Sequence, residues 1–160
     1  MSGNSAGSPL IVGIGNRYRS DDGIGPWVAD RLRAAGLNAI EHSGEGAGLI
    51  DAWSGHDAVI LVDAVQSGSP PGTIHRFDAA TTELPKSFFR YSSHLFGVAE
   101  AIETARALGR LPTSLVVYGI EGALFAFGDA LTPQVQEAGV DVANAITPPT
   151  TSRSSARTPE

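Results

Sequence analysis

Two adjacent aspartates, Asp21 and Asp22, lie in a glycine-rich stretch, "GIGNRYRSDDGIG", that follows an apolar run. A strand, a glycine-rich turn and a helix are typical of a nucleotide site. However, Tyr18 stands where a dinucleotide fingerprint needs its third glycine, and the chain contains no G-K-[ST] sequence. Paired carboxylates would also repel a pyrophosphate. The stretch therefore favours a carboxylate-bearing turn over a phosphate cradle.

The two aspartates have both structural and functional interpretations. Asp21 could cap the helix that follows, because an acidic side chain satisfies free N–H groups and complements the helix dipole. One aspartate is enough for that purpose, so Asp22 could face a ligand instead. The sequence favours the structural interpretation for Asp21 and leaves the two interpretations of Asp22 evenly balanced.

Two further polar residues stand at the predicted ends of apolar elements. Asp63 ends the run "AVILVD", and ligands of open α/β sheets gather at the carboxyl ends of strands. A turn or cap role for Asp63 is the alternative, although no clear helix follows it. His94 follows a predicted N-cap, Ser93, where the helix dipole favours a neutral imidazole that can bind metal. An exposed histidine at a helix start is the alternative.

Asp22, Asp63 and His94 could converge above the sheet as two carboxylates and one imidazole. Such ligands suit Ni²⁺, Zn²⁺ or Mn²⁺ and do not discriminate among them. The chain contains neither H-E-x-x-H nor G-x-S-x-G, and it has no cysteine, so zincin, serine-elbow and thiol chemistry are excluded. The other histidines have surface or packing roles by default, with His75 in a strand and His42 and His56 in loops.

The elements that would position these residues alternate along the chain. Apolar runs predict strands, and helical spacing predicts helices that end at Gly36 or near Gly109. The predicted strands are 10–14, 38–41, 58–63, the run "TIHRF" and 114–120; the predicted helices start near Pro26, span 49–53, start at Ser93 and span 133–146. This order predicts a three-layer α/β/α sandwich on a mostly parallel sheet.

Length and composition limit the number of domains and the kinds of partner that we expect. The 160 residues predict one α/β domain over 9–146, with a flexible segment at 1–8 and a disordered Pro-, Ser- and Thr-rich tail at 147–160. A net charge of −6 gives no basic footprint for nucleic acid. Neither a signal peptide nor a membrane-spanning run is present in the sequence. We therefore expect a cytoplasmic domain without nucleic-acid or membrane partners.

The opening stretch also resembles the G-x-G-N-x-x-x-x-D-[DE]-x-x-G signature of the maturation endopeptidases of nickel–iron hydrogenases. The resemblance continues, in the family's order, through "SGEGAGLIDAW", "VILVDAVQSGSPPGTIHRF", "SSHLFGVAEAI" and "VVYGIEG". It spans about Leu10 to Ile146, nearly the whole predicted domain. The resemblance implies a five-stranded sheet in which "TIHRF" runs antiparallel to the other strands.

The resemblance implies an endopeptidase that removes the C-terminal extension of a hydrogenase large-subunit precursor after nickel insertion. The metal-binding and catalytic residues of the family correspond to Asp22, Asp63 and His94. The resemblance also implies that nickel arrives with the precursor, so we expect no tightly bound cofactor in the protein itself. We also expect a monomer. The family is often classed with aspartic-type peptidases. Four more residues are expected to contact the substrate: Gly15, Asn16, Asp21 and Glu45.

Two departures from the family pattern matter. Asp22 is glutamate in some relatives, so the carboxylate here reaches one methylene less far. Glu45 stands in "SGEGAG" where G-G-T-x-G is common, so it either adds a carboxylate near the site or points away as a solvated loop residue. The alternative function is a metal- or peptide-binding checkpoint chaperone that keeps the scaffold without hydrolysis.

Overall fold

A computed structural model describes residues 8–85 and 96–149 of the chain. Its strands and helices alternate as predicted. In chain order they are β1 (Leu10–Ile14), α1 (Ile24–Ala34), β2 (Ala39–His42), α2 (Gly46–Trp53), β3 (Ala58–Val65), β4 (Ile74–Asp78), α3 (Val98–Ala107), β5 (Ser114–Glu121) and α4 (Pro133–Ile146). No helix in this described part of the chain has the length and apolar character that crossing a lipid bilayer requires.

The sheet has the order β2-β1-β3-β5-β4. Neighbouring strands are parallel except β4, which pairs antiparallel with β5. β1 and β3 pair in the middle of the sheet through apolar residues, with Leu10 opposite Val59 and Val12 opposite Leu61. This arrangement confirms the predicted mostly parallel five-stranded sheet with one antiparallel strand.

Two apolar layers cover the sheet. α1 and α4 pack on one face against Ile11, Val62 and Ile120. α2 and α3 pack on the other face against Val12 and Leu61. Because side chains of a strand alternate between faces, each central strand contributes to both cores. The predicted α/β/α layering is confirmed.

The first helix ends as the sequence predicted. Gly36, with a φ of +91°, follows the C-cap, and the Leu37 N–H returns to the carbonyl of Leu32. The helix begins at Ile24, two residues before the predicted start near Pro26, and a 3₁₀ turn, Ser20–Gly23, leads directly into it. α4 begins and ends at the predicted residues, with a proline in its first turn.

Two predicted boundaries are wrong. β3 continues past Asp63 to Val65, because Ala64 and Val65 still pair with β5. α3 begins at Val98 rather than after Ser93, because Gly97 is its N-cap and donates its N–H to the Glu100 side chain. The first turn of α3 therefore does not contain His94.

Smaller corrections concern α2, β2 and the start of the tail. α2 begins at Gly46, before the predicted Leu49. His42 is the last residue of β2 rather than a loop residue. Thr147, assigned to the tail, is the C-cap of α4, and both its N–H and its hydroxyl donate to the carbonyl of Ala143. Residues 150–160 and 1–7 lie outside the described chain.

Candidate active site

The turn after β1 depends on Gly15. Its φ is +144°, and a Cβ at this position would overlap the carbonyl oxygen of Asp22. The chain therefore folds closely back on itself, and the Asn16 N–H donates to Asp22 Oδ2 at 3.0 Å. Glycine and a backbone donor thus fix the Asp22 carboxylate at the end of β1.

The neighbouring strand brings Asp63 to the same edge of the sheet. Asp63 lies between Leu61 and Val65, which belong to the core beneath α2 and α3, so its side chain faces that layer. Only 8% of its surface is exposed. Burial, and then the negative charge of Asp22, raise the pKa of Asp63 well above its ordinary value, although the Ala64 N–H opposes the shift.

Burial also raises the pKa of Asp22. The Asn16 N–H and the positive charge of Arg19 lower it in part. The structure therefore brings together two of the predicted site residues as mutually repelling carboxyl groups. Such a pair holds a proton to higher pH than separate carboxyls do, and it stabilises an arriving cation.

Asp21 points away from this pair and is fully buried. Its Oδ2 accepts hydrogen bonds from the N–H groups of Ala123 and Leu124, and its Oδ1 accepts one from the N–H of Thr132. The interpretation of Asp21 as a cap for the next helix is wrong, because α1 has Gly23 as its N-cap and no side-chain cap bond. Asp21 instead fastens the β5–α4 loop to the turn that carries Asp22.

Glu45 has a structural role that neither of its two interpretations named. It is the N-cap of α2, and its carboxylate accepts hydrogen bonds from the N–H groups of Ala47 and Gly48 at 2.9 Å. A carboxylate at a helix N-terminus satisfies free donors and complements the helix dipole. Contact of Glu45, Asn16 or Gly15 with substrate stays a prediction.

His94 lies outside the described residues, so its place beside the aspartates stays a prediction. Among residues 8–85 and 96–149, the structure has no group of three His, Cys, Asp or Glu side chains that could hold a metal ion. Asp22 and Asp63 are thus two donors of a set whose third predicted member is His94. Oxygen donors with raised pKa values suit a divalent cation, which would displace their proton.

One buried acidic residue escaped the sequence reasoning. Glu121 ends β5 and is only 2% exposed. Its carboxylate accepts bonds from the N–H and hydroxyl of Ser67 and from the Gly68 N–H, and it lies 3.2 Å from His75 Nε2. The sequence did contain an indication, because "VVYGIE" ends an apolar run in an acidic residue as "AVILVD" does.

The arrangement has the requirements of acid–base chemistry. A carboxyl that keeps its proton can donate it, and an ionised neighbour can accept one from water. Asp63 lies within β3, and Asp22 lies in the 3₁₀ turn that follows β1, the neighbouring strand. A site at this edge of an open α/β sheet is in the usual place for ligands.

Comparisons with known proteins identify the family of the chain. Residues 38–148 match the HycI family of hydrogenase maturation proteases, a range that includes Asp63 and His94 and begins after Asp22. The chain is 30% identical over 136 residues to the hydrogenase expression/formation protein HupD of Thiocapsa roseopersicina, covering 80% of this chain and 61% of the relative. HupD of Rhodobacter capsulatus is 26% identical over 132 residues. This chain spans 63% of that relative's length.

Solved structures agree on the fold. The [NiFe] hydrogenase maturation protease HybD of Thermococcus kodakarensis superposes with a TM-score of 0.70 at 26% identity, covering 87% of this chain and 95% of that one. The hydrogenase maturating endopeptidase HybD of E. coli superposes with a TM-score of 0.69 at 20% identity, covering 87% of this chain and 89% of that one. The second likeness is one of fold alone.

Proposed function

Because the chain belongs to the hydrogenase maturation protease family, we propose that it is an endopeptidase that removes the C-terminal extension of a nickel–iron hydrogenase large-subunit precursor after nickel insertion. It acts in this proposal as a cytoplasmic monomer. The resemblance of the opening motif, which lies before the matched range, extends the proposal to Asp22.

The observation that carries the proposal is the coupling of Asp22 and Asp63. Burial and the charge of its neighbour raise the pKa of Asp63, so this pair is unfavourable as two free carboxylates. A carboxyl that serves only structure is satisfied by donors, as Asp21 is. An unfavourable buried pair at a ligand-binding edge is typical of a functional site.

Each residue has a role in the proposed reaction. Asp22 and Asp63 contact the nickel of the precursor, and one of them takes a proton from the attacking water and then passes it to the leaving amine. His94 is the proposed third ligand. Asn16 and Gly15 position Asp22 through the close turn, and Glu45 and Asp21 act through the elements that they hold.

Nickel enters this proposal as part of the substrate. Two carboxylates and one imidazole without a thiolate form an open and weakly selective site. Ligands that belong to the precursor would complete the coordination, so affinity arises when both proteins contribute. Cleavage would then depend on nickel insertion, because binding of the ion and positioning of the C-terminal segment are coupled.

The test combines the purified protein with nickel-loaded and with nickel-free precursor and follows the precursor mass. We expect loss of a C-terminal peptide from the loaded form only. Elemental analysis of the protein alone should find little bound metal. Stoichiometric zinc in the protein, or equal cleavage of both precursors, would contradict the nickel dependence.

The same measurement separates the enzyme from the checkpoint chaperone. A stable complex with loaded precursor whose mass stays constant would support the chaperone and overturn the endopeptidase. Cleavage of unrelated proteins at a similar rate would overturn the specificity for the precursor.

A further inference from the structure

The loop between β5 and α4, residues 122–132, is rich in apolar side chains that stay exposed. Phe127 is 90% exposed and Leu124 is 46% exposed. Across from them, Tyr18 of the turn after β1 is 62% exposed. We call these three side chains the apolar ridge. Clustered exposed apolar side chains are typical of protein interaction sites.

Backbone hydrogen bonds fix the loop that carries Leu124 and Phe127 to the turn that carries Tyr18. The Ser20 N–H donates to the Gly128 carbonyl at 2.7 Å, and the Gly128 N–H donates to the Tyr18 carbonyl at 2.8 Å. The Ser20 hydroxyl donates to the carbonyl of Ala126 at 2.8 Å. Ser20 adopts a φ of +53°, a left-handed conformation that turns its N–H toward the loop. A pre-organised surface loses little entropy when a partner binds.

A pocket of about 210 Å³ opens beside the ridge, between the same turn and the same loop. Tyr18, Trp27 and Leu131 form its apolar lining, and Asp129 lies at its rim. Arg17, which also lines the pocket, is engaged by Asp30 and Glu41. Within the described residues the exposed Asp129 carboxylate has no ion-pair or hydrogen-bond partner.

We propose that the apolar ridge and its pocket bind the folded precursor beside its C-terminal segment. The inference rests on the proposed function. The matching precursor surface is an apolar side chain flanked by lysine or arginine, which complements the apolar pocket and the carboxylate of Asp129. Tyr18 of the ridge belongs to the turn that holds Asp22: its N–H donates to Asn16 Oδ1, and the Asn16 N–H donates to Asp22. A precursor whose scissile bond reaches Asp22 and Asp63 therefore passes near the ridge.

The test compares Phe127→Ser, Asp129→Asn and the wild type in cleavage of nickel-loaded full-length precursor. Phe127→Ser should raise KM about tenfold or more with kcat unchanged, because truncation of a central aromatic removes binding that is equal in ground and transition states. Asp129→Asn should raise KM about two- to fivefold, and less at high salt. Leu108→Ser is the matched control, since Leu108 is 63% exposed at the far end of α3.

Each outcome decides one point. Unchanged KM in Phe127→Ser, with cleavage by the wild type intact, overturns the ridge proposal and leaves the proposed function standing. If the wild type binds the precursor without cleaving it, the proposed endopeptidase function is overturned. In that case the ridge proposal is supported only if Phe127→Ser weakens the binding about tenfold. A sedimentation shift from dimer to monomer in Phe127→Ser, with unchanged KM, would assign the ridge to a second copy of this chain instead.

Discussion

Asp63 and Glu121 are buried carboxyl groups on neighbouring parallel strands, and both face the layer of α2 and α3. β3 and β5 pair so that Asp63 is opposite Gly119 and Val65 is opposite Glu121. Burial alone would raise both pKa values. At Glu121, hydrogen bonds from Ser67, His75 and Gly68 outweigh burial and hold the pKa below its ordinary value. At Asp63, burial and the neighbouring charge of Asp22 act in the same direction.

Hydrogen-bond donors, rather than the extent of burial, distinguish Asp63 from Glu121. Glu121 faces the N–H groups and hydroxyl of the loop after β3, so its charge stabilises that loop. Asp63 faces another carboxylate and needs a proton or a cation. A buried carboxyl that is surrounded by donors serves the fold, and one that is opposed by a like charge is a candidate for binding a ligand.

The largest expected effect is on the rate of cleavage, and it distinguishes Asp63 from Glu121. Asp63→Asn should reduce precursor cleavage on the order of 10²–10⁴-fold, since it removes an acid–base group while preserving side-chain volume. Mass spectrometry of the precursor over time measures the rate. Asp57→Asn, an exposed aspartate just before the other end of β3, is the control. A normal rate in Asp63→Asn would show that the reaction does not use this group.

The next largest effect is on the free energy of unfolding, and it distinguishes the same two residues. Glu121→Gln should lower the free energy of unfolding by about 1–3 kcal/mol, because an amide nitrogen would face N–H and O–H donors. Urea unfolding followed by circular dichroism measures the change. Glu137→Gln on the exposed side of α4 should leave the midpoint unchanged. Equal midpoints for both variants would mean that the Ser67–Gly68 loop does not depend on Glu121.

The smallest effect is a difference in pH dependence. The folded pKa of Asp63 is raised, so its contribution to stability falls as pH rises from the ordinary carboxyl range through that raised pKa. Asp63→Asn should therefore melt higher than metal-free wild type at neutral pH, with the gap closing in acid. Glu121 has a lowered pKa, so its contribution is present above the ordinary carboxyl range and is lost as pH falls through the folded pKa.

Thermal melts of metal-free protein across acidic to neutral pH measure both trends. Glu121→Gln should lose its disadvantage in acid, where the wild-type carboxyl is protonated as well. A gap between Asp63→Asn and wild type that widens toward acid would contradict the assigned direction of the Asp63 shift.

Strong periodicity made the fold predictable from the sequence. The apolar runs at β1, β3 and β5 and the proline-started α4 were placed within a few residues. Errors arose at the ends of elements, from long-range strand pairing in one case and from a local capping bond in the other. Asp63 is inside β3 because Ala64 and Val65 still find partners in β5. Gly97 and Glu100 start α3, although Ser93 has the better intrinsic capping propensity.

The candidate site was partly predictable for the same reason. Asp22 and Asp63 follow apolar runs of adjacent strands, and their meeting follows from parallel order. The role of Asp21 could not be predicted, because its partners are more than 100 residues away in the chain. The cap role of Glu45 depends on where α2 begins, which the glycines around it left undetermined.

The bonds of Asp21 also order events during chain synthesis. Thr132, which donates to Asp21, is 111 residues further along the chain, so the turn that holds Asp22 is fastened only after β5 and the following loop have left the ribosome. Nascent or truncated chains that lack this loop leave the Asp21 carboxylate without these donors. The buried support of the candidate site is therefore completed only together with the last part of its own domain.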